Sequence, residues 1–245
     1  MIIPQKMTAR LSEKQILNER YTWFRFELDP SFKLRNEAGQ YVMIEVAPGV
    51  NRAYSMCDRP DVDSSFELLV DIKPQGVGVT YLQNLKFGDQ IKLLAPLGQL
   101  TVKTGETAQD LFFIATGSGI SPFKAIITDQ LQIQKSNKNL HLLWNMNFSH
   151  EFFWLEDFAD LQDKYSNFHF YPIVSQPDSS WTLASGYVTN ILENIDIPTN
   201  SHFYLCGSPL MLDSTTQFLT AKGFTMEQIS TEKFSADKSN ANSAN

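Results

Sequence analysis

Asn51-Arg52-Ala53-Tyr54-Ser55 sets an arginine, a tyrosine and a serine within four positions, just beyond an apolar run from Tyr41 to Val46. Extended backbone sends successive side chains to opposite faces, so Arg52 and Tyr54 share one face and Ser55 turns to the other. That spacing suits a flat ligand with an anionic tail. The Arg52 guanidinium can clamp a diphosphate through two hydrogen bonds, the Tyr54 ring can lie on a planar heterocycle, and the Ser55 hydroxyl can bond a ring nitrogen.

Three glycine-bearing turns offer related chemistry. Gly76-Val77-Gly78-Val79-Thr80 leads into a short helix expected over Tyr81 to Leu85, with Leu82 and Leu85 on one side. Glycines ahead of a helix N-terminus let backbone amides approach a phosphate, and the helix dipole favours the anion. Ala115-Thr116-Gly117-Ser118-Gly119-Ile120-Ser121-Pro122 follows an apolar strand and opens a helix, the turn that carries amides to the crevice where dinucleotides bind. Cys206-Gly207-Ser208-Pro209 follows a later strand, Phe203 to Leu205, in the same way; its thiol is small and polarisable, and its glycine leaves room for a flat ring.

In order along the chain stand Gly39-Gln40-Tyr41, Arg52-x-Tyr54-Ser55, Lys86-x-Gly88-Asp89, Pro96-x-Gly98, the Gly117 to Pro122 turn, Cys206-Gly207-Ser208-Pro209-x-Met211 and Glu232-Lys233-Phe234. This series resembles the ferredoxin-NADP reductase family of flavoproteins, from about Met7 to Phe234. The resemblance implies a flavin, FAD, held by Arg52, Ala53, Tyr54 and Ser55 and by Gly76, Gly78, Val79 and Thr80. The family usually has a serine or threonine three residues after the position of Gly76, where this chain has Val79 and places Thr80 one later. NADH or NADPH is implied at Thr116, Gly117, Ser118, Gly119 and Pro122, at Ser175 and Gln176, and at Cys206, Gly207, Ser208 and Met211. Ser55, Cys206 and Glu232 would stand at the point of hydride transfer, Cys206 as a positioning residue and not a nucleophile. Phe234 would return to the flavin. Cys57 has no role beyond packing.

The elements that must position these residues fall into two kinds. Tyr21 to Leu28 alternates Thr22, Phe24, Phe26 and Leu28 with Trp23, Arg25 and Glu27, a half-buried strand. Met7 to Ile16, Tyr41 to Val46, Ser65 to Ile72 and Gln90 to Leu94 are further strands, broken at Asp29-Pro30, Pro48-Gly49, Pro74 to Gly76 and Gly88-Asp89. Short, evenly spaced strands predict a closed antiparallel β-barrel over residues 1–105, the flavin-binding domain of the resembling family. From Asp110 apolar strands alternate with helical stretches (Pro122 to Gln134, Phe152 to Tyr165, Val188 to Asn194, Pro209 to Lys222), which predicts a doubly wound parallel α/β domain over residues 106–234 for the nicotinamide dinucleotide. Residues 235–245 are small and polar, an expected disordered tail.

Composition narrows the class. A chain of 245 residues, 42% hydrophobic and 12% aromatic, can bury the cores of two domains, and a net charge of −7 disfavours nucleic acid or an anionic membrane as partner. No apolar run approaches the roughly 20 residues that cross a bilayer, so a cytoplasmic monomer is expected. With two cysteines the chain cannot ligate a four-cysteine iron-sulfur cluster by itself, and its four histidines show no metal-ligand spacing with Cys, Asp or Glu, so no metal site is expected.

Three functions are compatible with these features. One is an FAD-dependent reductase passing electrons between NAD(P)H and a separate carrier, a ferredoxin, a flavodoxin or an oxygenase component. A second is an NAD(P)H:flavin reductase that releases reduced flavin, and a third a flavin-binding regulatory or electron-transfer subunit without turnover of its own. Phosphate-selecting members of the family often place arginines where this chain has Gln176 and Asn147. With Asp178 nearby, no strong preference for NADPH is expected.

Overall fold

A computed structural model describes residues 3–233. Phe234 and the tail at 235–245 lie outside the described residues. The chain begins with five strands, β1 (Gln5–Ile16), β2 (Tyr21–Leu28), β3 (Tyr41–Ala47), β4 (Val50–Ser55) and β5 (Ser65–Asp71), followed by helix α1 (Val77–Asn84) and strand β6 (Gln90–Leu97). They form one antiparallel sheet in the order β4-β3-β6-β1-β2-β5. Alternation builds it: Thr22, Phe24, Phe26 and Leu28 of β2 are buried against Phe66 and Leu68 of β5 while Arg25 and Glu27 face outward.

The sheet curls into a half-barrel, and its edges meet at a single antiparallel bridge between Met56 and Leu68. The antiparallel barrel that the strand pattern predicts is present in this half-barrel form, its edges drawn together where the chain leaves β4 after Ser55. There Met56 donates to Gln40 O and Cys57 to Glu67 O. Helix α1 plugs the sheet with Leu82 and begins at Val77, four residues earlier than its apolar pattern suggests. Gly76 caps it without a side chain, so the start carries no local signature.

The second sheet comprises β7 (Asp110–Thr116), β8 (Asn139–Met146), β9 (Phe168–Val174), β10 (Ala184–Ser185), β11 (His202–Gly207) and β12 (Ile229–Lys233), parallel throughout, in the order β10-β9-β8-β7-β11-β12. Leu111 to Ala115 of β7 are all buried, as a central parallel strand covered on both faces must be. Helices α2 (Ile120–Thr128) and α3 (Leu155–Lys164) pack on one face with Phe123, Ile127 and Phe158. On the other lie α4 (Val188–Leu192) and α5 (Pro209–Ala221), contributing Val188, Leu192, Leu212 and Leu219. Strand order reverses between β7 and β11, so the turns after those two strands open on one crevice. The core under α2 continues into the first domain through Tyr21, Cys57, Leu69 and Leu100, which holds the two sheets against each other. Among the described residues no helix is long and apolar enough to cross a membrane.

Candidate functional site

Among the cavities where the domains meet, two hold residues that the sequence singles out. The first, about 330 Å³, is lined by Arg52, Ala53, Tyr54 and Ser55 of β4, by Gly76, Gly78 and Val79 around the start of α1, and by Leu69, Val70, Ser118, Ser121 and Lys233. Antiparallel pairing of β4 with β3, from Arg52 opposite Ile44 to Ser55 opposite Tyr41, fixes the facing of these side chains. Arg52 and Tyr54 are half-buried, Ala53 is exposed between them, and Ser55 is 4% exposed.

Gly78 tests whether this cleft suits a dinucleotide flavin. A Cβ there would stand 2.4 Å from the Tyr54 hydroxyl and 3.0 Å from Cγ of Arg52, so both side chains lie directly over the first turn of α1. Thr80 N–H bonds Gly76 O, which makes it the first amide of the helix with an intrahelical acceptor. Val77, Gly78 and Val79 therefore present the orphan amides of a helix N-terminus beneath a guanidinium. A diphosphate is what this donor set matches, and the residues fit FAD. Thr80 itself sits exposed in the second half-turn and does not line the cleft.

The second cavity, about 600 Å³, lies in the crevice of the parallel sheet. Thr116, Gly117 and Ser118 line it after β7, Gly207, Ser208 and Met211 after β11, and Ser175 after β9. Ser208 caps α5 by accepting from Met211 N–H at 3.3 Å, and its own N–H donates to Oγ1 of Thr116 at 2.9 Å, which ties the two turns together. Gly119 packs so closely on Cys206 that a Cβ would fall 2.2 Å from the Cys206 carbonyl oxygen. Gly119, Pro122, Gln176 and Cys206 do not line the cavity; Pro122 is buried in α2, and Gln176 is exposed with its N–H on Asn147 O.

Ser118 and Asp71 border both cavities. Close by, the Ser55 hydroxyl donates to Oε1 of Glu232 at 3.1 Å, and Glu232 pairs in register with Cys206. Burial raises the Glu232 carboxyl, partly offset by the bond from Ser55. Burial, with the Glu232 carboxylate adding to it, holds the Cys206 thiol well above the ordinary cysteine range, so it stays a neutral thiol near neutral pH.

Residues that no motif announced complete the second cavity. Arg20 reaches from the start of β2, bonded to Asp71 at 2.8 Å and to Glu151 of the second domain at 3.0 Å. Tyr21, Asn145, Tyr187 and Leu210 also line it. Arg20 and Glu151 are 131 positions apart, and nothing in their local sequence marks the encounter.

Residues 8–102 match the family described as Oxidoreductase FAD-binding domain, and residues 113–217 match Oxidoreductase NAD-binding domain. FAD and NADH or NADPH are the cofactors of these domains. Among curated proteins, one component of the Na(+)-translocating NADH-quinone reductase of Serratia proteamaculans is 31% identical over 199 residues, covering 75% of this chain and 48% of its own length. The chain thus spans about half the length of such relatives. An Amycolatopsis cytochrome P450 reductase superposes with a TM-score of 0.85 at 24% identity, covering 96% of this chain and 71% of its own. A ferredoxin NADP+ reductase from Neisseria gonorrhoeae, with bound FAD and NADP, gives 0.81 at 23% identity, covering 93% and 98%. At those identities the likeness is one of fold. With both domain matches in this order, the chain belongs to the oxidoreductases built from an FAD-binding and an NAD-binding domain, and its fold is that of the ferredoxin NADP+ reductase structure.

Proposed function

We propose that the protein is an FAD-dependent reductase that takes hydride from a nicotinamide dinucleotide and hands the electrons on to a separate carrier protein, of ferredoxin, flavodoxin or oxygenase-component kind. The observation that carries this reading is the shared border at Ser118 and Asp71, where a ring held by Tyr54 and Ser55 and a ring entering over Gly117 and Gly207 would meet. The bound flavin supplies a two-electron acceptor able to release its electrons singly.

The chain's own residues bind, orient and exclude water. Arg52 and the first amides of α1 neutralise the diphosphate, and Tyr54 covers the flat ring system. Ser55, its hydroxyl proton given to Glu232, retains acceptor lone pairs. Glu232, half-buried and raised by that burial, holds a proton at its carboxyl to higher pH than an exposed glutamate does. Cys206, neutral, fully buried and in register with Glu232, does not react. The name of the Serratia relative gives NADH as reductant and a larger assembly as setting, and both are taken into this proposal.

The test is oxidation of NADH by the purified chain with cytochrome c as terminal acceptor, alone, with ferredoxin, and with added free flavin. Turnover that rises with ferredoxin and needs no added flavin supports the reading. Turnover only with free flavin gives the flavin-releasing enzyme instead, and none under any condition gives a subunit without turnover.

A further inference from the structure

Gly117 opens the turn between β7 and α2 with a φ of +55°, a conformation open to glycine and strained for other residues. Two aromatic side chains, both packed on Phe153, meet it. From β8, the indole Nε1–H of Trp144 donates to the Gly117 carbonyl at 3.0 Å. From the flavin domain, the Tyr21 hydroxyl lies where a Cβ on Gly117 would come within 2.9 Å of it. Trp144 is fully buried on β8, with Phe152, Phe153 and Phe158 packed edge-on at ring distances of 4.8, 5.1 and 5.9 Å. Tyr21, also fully buried, contacts Phe153 at 4.9 Å and Met146 Sδ at 3.9 Å.

The consequence concerns which groups of the turn face the cavity. The Gly117 carbonyl is occupied by Trp144 and by Ile120 N–H, and the Ser118 carbonyl accepts from Ser121 Oγ at 2.8 Å. With both acceptors turned away, the first amides of the turn, which lack intrahelical partners, are left to face the cavity. A carbonyl rotated inward would repel a diphosphate. We propose that Trp144 is a positioning residue for the nicotinamide dinucleotide, its indole N–H locking the Gly117–Gly119 turn in the orientation that receives the anion. This rests on the reading of the larger cavity as the nucleotide site. Trp144 touches no ligand itself; it acts through the Gly117 carbonyl.

The experiment compares Trp144→Phe, which keeps an aromatic ring but removes the donor, with Phe152→Leu, which disturbs the same packing and leaves the indole bond. NADH affinity is measured directly by titration, beside FAD content and steady-state kinetics. Trp144→Phe should raise Kd and KM for NADH about tenfold, equivalent to about 1.4 kcal/mol, with FAD content and kcat at saturation within twofold of wild type. Phe152→Leu should leave Kd within twofold. An unchanged Kd in Trp144→Phe, or equal shifts in the two variants, would overturn the proposal. Should Trp144→Phe fail to fold, the wild-type indole N–H signal decides: protection from exchange and a shift on adding NADH support the role, and an unprotected, unshifted signal overturns it. A wild type that binds no NADH is a distinct outcome, which sinks the reading of the cavity and this inference with it.

Discussion

Ser55 and Glu232, 177 positions apart, are joined by a 3.1 Å hydrogen bond that links the end of β4 in the half-barrel to β12 at the edge of the parallel sheet. The bond lies largely out of solvent, and the Glu232 carboxyl is raised by burial. Glu232→Gln keeps an oxygen for Ser55 to donate to and removes the ionisation. FAD content should hold, while flavin reduction, whose wild-type pH dependence should follow the raised Glu232 carboxyl, should lose that dependence. An identical pH profile in the variant would show that Glu232 only ties the domains.

Arg52→Ala removes the guanidinium over the start of α1. Loss of one charge-assisted pair costs on the order of 1.5 to 3 kcal/mol, so FAD affinity should fall roughly tenfold to more than a hundredfold. Equilibrium titration of the apoprotein checks it. FMN, lacking the diphosphate, should bind wild type and variant nearly alike, and purified wild type carrying FMN in place of FAD would sink the assignment.

Cys206→Ala removes a buried, neutral thiol in register with Glu232. FAD content should be unchanged while stopped-flow reduction of the flavin by NADH slows severalfold, chiefly in the chemical step. Equal rates would reduce Cys206 to core packing.

The nucleotide cavity offers little to a 2'-phosphate. Arg20 is the one cation among its described lining residues, and Asp71 and Glu151 already engage it. Lys124 lies elsewhere, its Nζ 3.3 Å from the Cys57 carbonyl oxygen and 4.7 Å over the Trp154 ring, and Lys222 sits by Phe218 past the end of α5. Asp178 is held down to about 2 by hydrogen bonds from Ser149 and Ser180, so it stays anionic near Gln176. Steady-state kinetics should give NADPH no advantage in kcat/KM over NADH. A hundredfold preference for NADPH, about 2.7 kcal/mol, would contradict that expectation.

Asp58 lies at the seam between the domains, accepting from Glu67 N–H at 3.0 Å, with the Glu67 carboxylate and Lys124 as its charged neighbours. Burial raises it to about 7. Unfolded, it ionises near the usual aspartate value of about 3.9, so between about pH 4 and pH 7 the folded protein binds the extra proton and stability falls as pH rises. Asp58→Asn removes that cost. Its gain should be on the order of 1 to 2 kcal/mol at pH 8 and close to nothing at pH 4, read from denaturant unfolding. A gain independent of pH would mean that the ionisation is not responsible.

Local pattern was enough for much of the scaffold and for the residue types of the site. The alternation of β2, the unbroken apolar run of β7 and the glycine turns at Gly117 and Gly207 are properties of a few consecutive residues, and side-chain period and glycine's freedom translate directly into strand facing and turn shape. Arg52 and Tyr54 share a face because they stand two apart on a strand, whereas Ser55, on the opposite face, joins them at one cleft only through the packing around β4. Where α1 begins was hidden, since Gly76 caps without a side chain, and the two-residue β10 and the edge strand β12 exist only by pairing with β9 and β11. The tertiary structure alone decided that Arg20 meets Glu151, that Tyr21 and Trp144 close on Gly117, and that Ser55 meets Glu232. Each contact joins residues from different strands or domains. Its partner is chosen by which sheet edges and cores pack together, and short-range periodicity carries no record of that choice.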